Sequence, residues 1–338
     1  SPLVLFMLFF STTDVSAMKS NGPAADGHDS IRISLLTCAP GEEIYSLFGH
    51  TAIRYENPSQ GIDVVFNYGL FSFNTPNFIL RFSLGETDYQ LGATDYAHFA
   101  AEYAFFGRSV WQQTLNLTER EKAELIRLLQ ENYRPENRVY RYNFFYDNCA
   151  TRPRDKIEES IAGKVLYPAK PQDGSRSFRD IVHQYCKSHP WARFGIDLCI
   201  GSEADRPITQ RQMMFAPFYL MDAFAGAQIE NDSIQRPLAE AARLIVDATP
   251  GTDESGWIFT PLQCALLLFI LTVGATIYGI RRRTGLWGVD LFLFSAAGIV
   301  GCALAFLASF SEHPAVSSNF LLLVFHPGQL LFLPYIIY

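Results

Sequence analysis

The chain has 338 residues, of which 49% are hydrophobic and 14% aromatic, and its 27 basic and 34 acidic residues leave a net charge of −7 at pH 7. That balance gives no basic footprint for DNA or RNA, so nucleic acid is excluded as a partner. The length accommodates a domain with a sizeable core together with several membrane-crossing helices.

In chain order, residues 1–17 carry a short apolar run ending in Val15-Ser-Ala17, the pattern of a signal-peptide remnant and its small-residue cleavage site. A run of about ten apolar residues is too short to span a bilayer. Residues 18–257 then read as one exported α+β domain. Ile31 to Thr37 is predicted as a strand and Gly41 to Phe48 as a short helix or turn. Thr51 to Tyr55 and Val64 to Tyr68 form an antiparallel pair joined through Asn57-Pro-Ser-Gln-Gly61, and Ser109 to Leu117 and Val139 to Tyr146 supply further strands. Thr118-Glu-Arg-Glu121 is a capping box that opens a helix, and Thr209-Gln-Arg-Gln212 opens a second one running toward Phe224. Leu238 to Val246 is predicted as a third helix.

Residues 258–338 are membrane sequence. Runs of 23 uncharged residues (258–280) and 20 (291–310) are each long enough to span, and a third apolar run covers 320–338. Arg281-Arg-Arg283 between the first two marks the cytoplasmic side, which puts the preceding domain and the loop from Ser311 to Asn319 on the outer face. The third run contains His326, Pro327, Gly328 and Gln329, which are costly in lipid unless they face other helices or a cavity. Among the aromatic residues, Trp257 has the best claim to the lipid interface, ahead of Trp111 and Trp191. Phe71, Phe73, Phe78, Phe82, Phe105 and Phe106 either line an acyl groove or belong to the core.

The chemistry concentrates at Cys149. An aromatic run ends at Asp147-Asn148, and Cys149 then opens a predicted helix with Pro153 and Arg154 in its first turns. Unpaired amides and the helix dipole favour a thiolate there. A nucleophilic thiol needs a base, and His50 stands immediately before the strand-like Thr51-Ala-Ile-Arg-Tyr55, so Cys149 and His50 form the candidate catalytic pair. Folding the hairpin at Ser59 brings His50 opposite Asn67 or Tyr68, which makes Asn67 the candidate third member, with Asp63 next. Tyr45 and Ser46, or the backbone amides of Asn148 and Cys149, are candidate oxyanion donors. Arg152 and Arg154 are candidates for a substrate phosphate or carboxylate, against local pairing with Asp155 or Glu158, and Glu42 and Glu43 for supporting roles or solvated surface. No Cys-x-x-Cys, His-Glu-x-x-His or Gly-rich phosphate loop is present, so neither metal nor nucleotide is indicated. Of the remaining outer-domain cysteines, Cys38, Cys186 and Cys199, the last two are the preferred disulfide pair.

Two segments, Leu36-Thr-Cys-Ala-Pro-Gly41 through Phe48-Gly-His-Thr-Ala-Ile-Arg54 and Asp147-Asn-Cys-Ala-Thr-Arg-Pro-Arg-Asp155, resemble the signature of the Lnb family, membrane-anchored lipoprotein N-acyltransferases of the Bacteroides type. The resemblance continues through Asn67-Tyr-Gly69, Thr75-Pro-Asn-Phe78, Asp88-Tyr-Gln-Leu91 and Ser311-Glu-His-Pro314, and so covers most of the chain from about residue 31. It implies a periplasmic domain on the bacterial inner membrane that moves an ester-linked acyl chain of a diacylglyceryl lipoprotein to the N-terminal amine of its lipid-bearing cysteine. Lipoproteins and membrane lipid are then the partners. The order of histidine first and Asn-Cys later is also similar to the permuted papain-like arrangement of the lecithin-retinol-acyltransferase and NlpC groups. Two other readings stand beside it: an NlpC-type amidase acting on peptidoglycan, and a non-enzymatic envelope scaffold. The scaffold requires Cys149 to be buried or disulfide-linked.

Overall fold

A computed structural model describes residues 31–72, 76–168, 175–231, 234–249 and 259–337. The signal-like residues 1–17, Phe73 and Trp257 lie outside the described residues. In chain order the elements are β1 (Arg32–Cys38), β2 (His50–Asn57), β3 (Ile62–Leu70), α1 (Phe78–Leu84), β4 (Asp88–Asp95), α2 (Tyr96–Phe105), β5 (Val110–Thr114), α3 (Glu119–Tyr133), β6 (Val139–Arg141), α4 (Thr151–Ser160), β7 (Lys164–Leu166), α5 (Phe178–Tyr185), α6 (Pro190–Cys199), α7 (Gln210–Met213), α8 (Pro217–Gly226), β8 (Gln228–Asn231), β9 (Ile234–Pro237), β10 (Arg243–Val246), α9 (Pro261–Arg282), α10 (Trp287–Phe310) and α11 (Leu333–Ile337). They fall into two compact units. One is built on residues 31–72, 87–168 and 209–249, and the other on 76–86, 175–208 and 259–337.

The first unit is organised by a seven-stranded antiparallel sheet in the order β10-β5-β1-β2-β3-β4-β6. The central strands β1, β2 and β3 are buried on both faces, and alternate residues meet different cover. Ile33, Leu35, Ile53, Val64, Phe66 and Tyr68 pack with Leu125 and Leu129 of α3, Ile157 of α4 and Phe224 of α8, whereas Leu36, Cys38, Ala52, Val65 and Val110 pack against Phe99 and Tyr103 of α2. The capping box at Thr118 forms as the sequence predicts. Glu121 of that box is buried and also pairs with Arg236.

Three predicted elements differ. Leu238 to Val246 is extended: Glu240 N–H donates to Thr114 O at 2.8 Å, and Arg243–Val246 forms the edge strand β10 on β5. Its residues space well for a helix, but β5 offers unpaired backbone partners, and tertiary pairing overrides local propensity. The helix opened by the Thr209 box stops at Met213, because Pro217 begins α8 and forces Ala216 into extended backbone (φ −92°, ψ 127°). The run from Val139 to Tyr146 is a strand only as far as Arg141, after which Asn143 and Asp147 exchange backbone hydrogen bonds of 2.9 Å around a tight turn.

In the second unit, Pro261–Arg282, Trp287–Phe310 and Pro314–Ile336 are each long and apolar enough to cross a membrane. The third is not continuous α-helix: it is a series of 3-10 turns ending in α11. Pro327 and Gly328 interrupt it, and the freed polar groups are met locally, with His326 Nδ1 accepting from Gly328 N–H at 3.0 Å and Gln329 donating to Val324 O at 2.9 Å. It lies against Gly298 and Gly301 of α10, where a Cβ would meet Leu330 and Phe325. The predicted Cys186–Cys199 bridge is corrected: both are free thiols. Helices α5 and α6 are joined instead by charge, through His183 and Arg179 on Asp197.

Candidate active site

His50 owes its position to a turn that only glycine can close. Gly49 has φ +81°, and a Cβ there would stand 2.5 Å from Cys38 O. The turn ahead of it is held by Ser46, whose hydroxyl donates to Glu43 O at 2.9 Å. Strand register then pairs His50 with Cys38 on β1, and Ala52 with Asn67 on β3. Extending that register puts Gly69 opposite His50, so Asn67 sits two positions along, on the same face, rather than directly opposite. Its Oδ1 lies 3.2 Å from His50 Nε2. An amide oxygen only accepts, so Nε2 carries the proton and Nδ1 is left with the lone pair of a base. Asp63, the other candidate, is held in a two-pronged pair by Arg54 at 2.8 and 2.6 Å.

Cys149 is placed by its neighbour. Asn148 Oδ1 accepts from Ala150 and Thr151 N–H at 2.8 and 3.0 Å, and its Nδ2 donates to Phe144 O and Phe215 O at 2.8 and 2.9 Å. The Asn148 backbone N–H is taken by Thr151 Oγ1 at 2.8 Å. Every donor of Asn148 is thus spent on capping α4 and tying it to the chain before α8, and its expected oxyanion role is corrected accordingly.

The thiol that follows reaches the open end of the β2–β3 ladder. That ladder stops at Ala52–Asn67, and the next β2 amide, Thr51 N–H, donates to the sulfur, joined by Cys149's own N–H. Gly69 has φ +89°, and a Cβ there would lie 3.5 Å from Cys149 Cβ. Cys149 is a free thiol, so the disulfide condition of the scaffold reading is not met, while its residue keeps some exposure around a sulfur that is itself desolvated.

The electrostatics correct the sequence expectation of a preformed thiolate. Burial pushes the Cys149 thiol up to about 11, outweighing the two backbone N–H groups and the Arg108 charge that act against it. Burial, with the same Arg108 cation, pushes His50 down to about 4. The pair therefore rests as neutral thiol and neutral imidazole at pH 7.

Two residues that sequence reasoning missed stand here. Arg108, just before β5, donates from Nε to Ala39 O at 2.9 Å and lies over the Tyr103 ring, while its buried Nη2 has no partner among the described residues. Tyr140, 7% exposed on β6, has a hydroxyl with no partner among the described residues, 3.9 Å from where a Gly69 Cβ would stand. Nothing in the sequence marks either, because an unpaired buried group is a property of the assembled fold.

The remaining candidates are committed elsewhere. Arg152 binds Asp147 at 2.6 and 2.7 Å and stacks 3.5 Å over the Tyr140 ring, so it positions the tyrosine instead of offering a free cation to substrate. Arg154 pairs with Asp155 and Arg211 O. Ser46's hydroxyl serves its own turn, Tyr45 is 55% exposed and edge-on to Phe71, and Glu42 and Glu43 are exposed. Trp111 packs on Phe218 within the sheet unit.

Comparison with known families gives two matches. The Lnb N-terminal periplasmic domain matches residues 24–180, and the Lnb transmembrane domain matches residues 253–338. No curated protein and no solved structure matches the chain. With both parts matched in order, a periplasmic domain ahead of apolar membrane-crossing segments, the chain belongs to the Lnb family and is an inner-membrane protein with a periplasmic domain.

Proposed function

We propose that the protein is a cysteine-dependent lipoprotein N-acyltransferase with a permuted papain-like catalytic arrangement. Family membership supports the coarser statement, an enzyme of lipoprotein processing. The observation that carries the finer one is the free thiol of Cys149, held by the Thr51 amide one residue from a histidine whose tautomer Asn67 fixes.

The sulfur attacks the ester carbonyl of a diacylglyceryl lipoprotein as His50 Nδ1 takes the thiol proton. A thiol of raised pKa loses its proton only as the new bond forms, and an imidazole of lowered pKa is already the free base at neutral pH. Charge that develops on the carbonyl oxygen is met by the Tyr140 hydroxyl, the unpaired donor beside Gly69. The ester C–O bond breaks, the imidazolium returns its proton to the leaving alcohol, and the acyl group stays as a Cys149 thioester. The N-terminal amine of the lipoprotein then attacks that thioester. His50 removes the amine proton and delivers it to the departing sulfur, which restores the thiol.

Donor and acceptor on one molecule replace a bimolecular encounter by proximity, and an amine outcompetes water toward a thioester. Incubation with a diacylglyceryl lipopeptide should give a product of unchanged total mass that has lost one ester acyl and gained one amide acyl. Free fatty acid as the main product makes the enzyme a lipase. Cleavage of muropeptides without action on the lipopeptide makes it a peptidoglycan amidase.

A further inference from the structure

Helix α1 is a seven-residue segment, Phe-Ile-Leu-Arg-Phe-Ser-Leu, on the connection between β3 and β4, yet Leu80 and Phe82 are 50% and 49% exposed. In water such a helix buries too little to hold itself. Its attachments are to the membrane sequence. Glu312 N–H donates to Leu84 O at 2.8 Å, and the His313 ring meets Phe82 O at 3.2 Å and lies edge-on to the Phe82 ring.

Helix α6 repeats the pattern. Trp191 Nε1 donates to Phe259 O at 2.8 Å, directly before α9, and Trp191 packs edge-on against Phe194, which is 44% exposed. Gly201 N–H donates to Ala315 O and Asn319 Nδ2 to Leu198 O, each at 2.7 Å.

All these anchors sit at one end of the spans, the start of α9 and the end of α10, opposite Arg281–Arg283. We propose that α1 and α6 form a collar immersed in the outer lipid leaflet, with Phe82, Leu80 and Phe194 in contact with acyl chains. Lipid is the occupant because α6 is bonded at the start of the first span and α1 at the end of the second, while Phe259, Leu262 and Leu266 of that first span and the collar residues are all exposed apolar carbon. Trp191, apolar in body with its N–H satisfied, is suited to the headgroup boundary.

The test places a fluorescent amino acid singly at Phe82, Phe194 and, as a reference within a span, Leu266, in the full chain reconstituted in phosphatidylcholine vesicles. Brominated phosphatidylcholine should quench positions 82 and 194 at least half as strongly as 266, and aqueous iodide should reach neither. Quenching by iodide with indifference to brominated lipid at 82 and 194, while 266 responds to lipid, overturns the collar and leaves the span intact.

Discussion

Two histidines in this molecule each bond a polar side chain through Nε2, and they differ in what is left over. At His183, Nε2 meets both oxygens of Asp197 at 2.8 and 2.9 Å, Arg193 meets Nδ1 at 3.0 Å, and Arg179 bridges Asp197 and Asp205. Both ring nitrogens are occupied and each charge has its opposite. At His50 the partner is a neutral amide, the cation that acts on it, Arg108, has an Nη2 with no partner among the described residues, and the Tyr140 hydroxyl near the thiol has none among them either. A closed network secures a fold, whereas an open one keeps donors and a base available for a passing substrate.

The comparison breaks first at the nucleophile. Cys149→Ala should abolish N-acylation, and His50→Ala should lower turnover by roughly 10²–10⁴-fold, with both proteins still inserted in the membrane. Assay on a diacylglyceryl lipopeptide, beside circular dichroism of the purified protein, separates lost chemistry from lost fold. Next comes Tyr140→Phe. Removing one oxyanion donor costs about 10²–10³-fold in turnover, while deleting an unpaired buried hydroxyl should leave the melting temperature unchanged or higher. A tyrosine that merely packs would leave turnover where it was.

Replacing Asn67 by Asp sharpens the contrast by giving His50 the kind of partner His183 has. A carboxylate favours imidazolium, so the His50 pKa rises from about 4 and activity should fall at mildly acidic pH with little change at pH 8. At the closed network, Asp197→Ala should cost about 2 kcal/mol of stability and leave the pH profile of turnover unmoved, since it takes the carboxylate from His183 and Arg193, and leaves Arg179 with Asp205 alone, without touching the thiol.

A further effect is in stability against pH. Because the folded His50 pKa is depressed from 6.5 to about 4, the unfolded chain gains protons first, and stability falls as pH drops through that window. His50→Gln should flatten this part of the curve in urea titrations.

Much of this was legible in the sequence. Hydropathy marked the spans, Gly49-His50 and Asn148-Cys149 marked the candidate pair, and the hairpin through Asn57–Gly61 put Asn67 within reach of the imidazole. The failures share a cause. Arg243–Val246 is a strand because β5 needs a partner, and the thiol is less acidic than its helix start implies because it is buried. Each depends on contacts between residues distant in sequence or on desolvation, which no local pattern records. Tyr140 and Arg108 are invisible for the same reason: what distinguishes them is a missing partner.

The most direct test of the thioester is the intact mass of the protein after incubation with a diacylglyceryl lipopeptide whose amine has been acetylated. With the acceptor blocked, the acyl group should accumulate on Cys149 as a hydroxylamine-labile adduct of one acyl chain, absent from Cys149→Ser. Continued N-acylation of unblocked lipopeptide by Cys149→Ala, or an adduct on any other residue, would contradict Cys149 as the carrier of the chain.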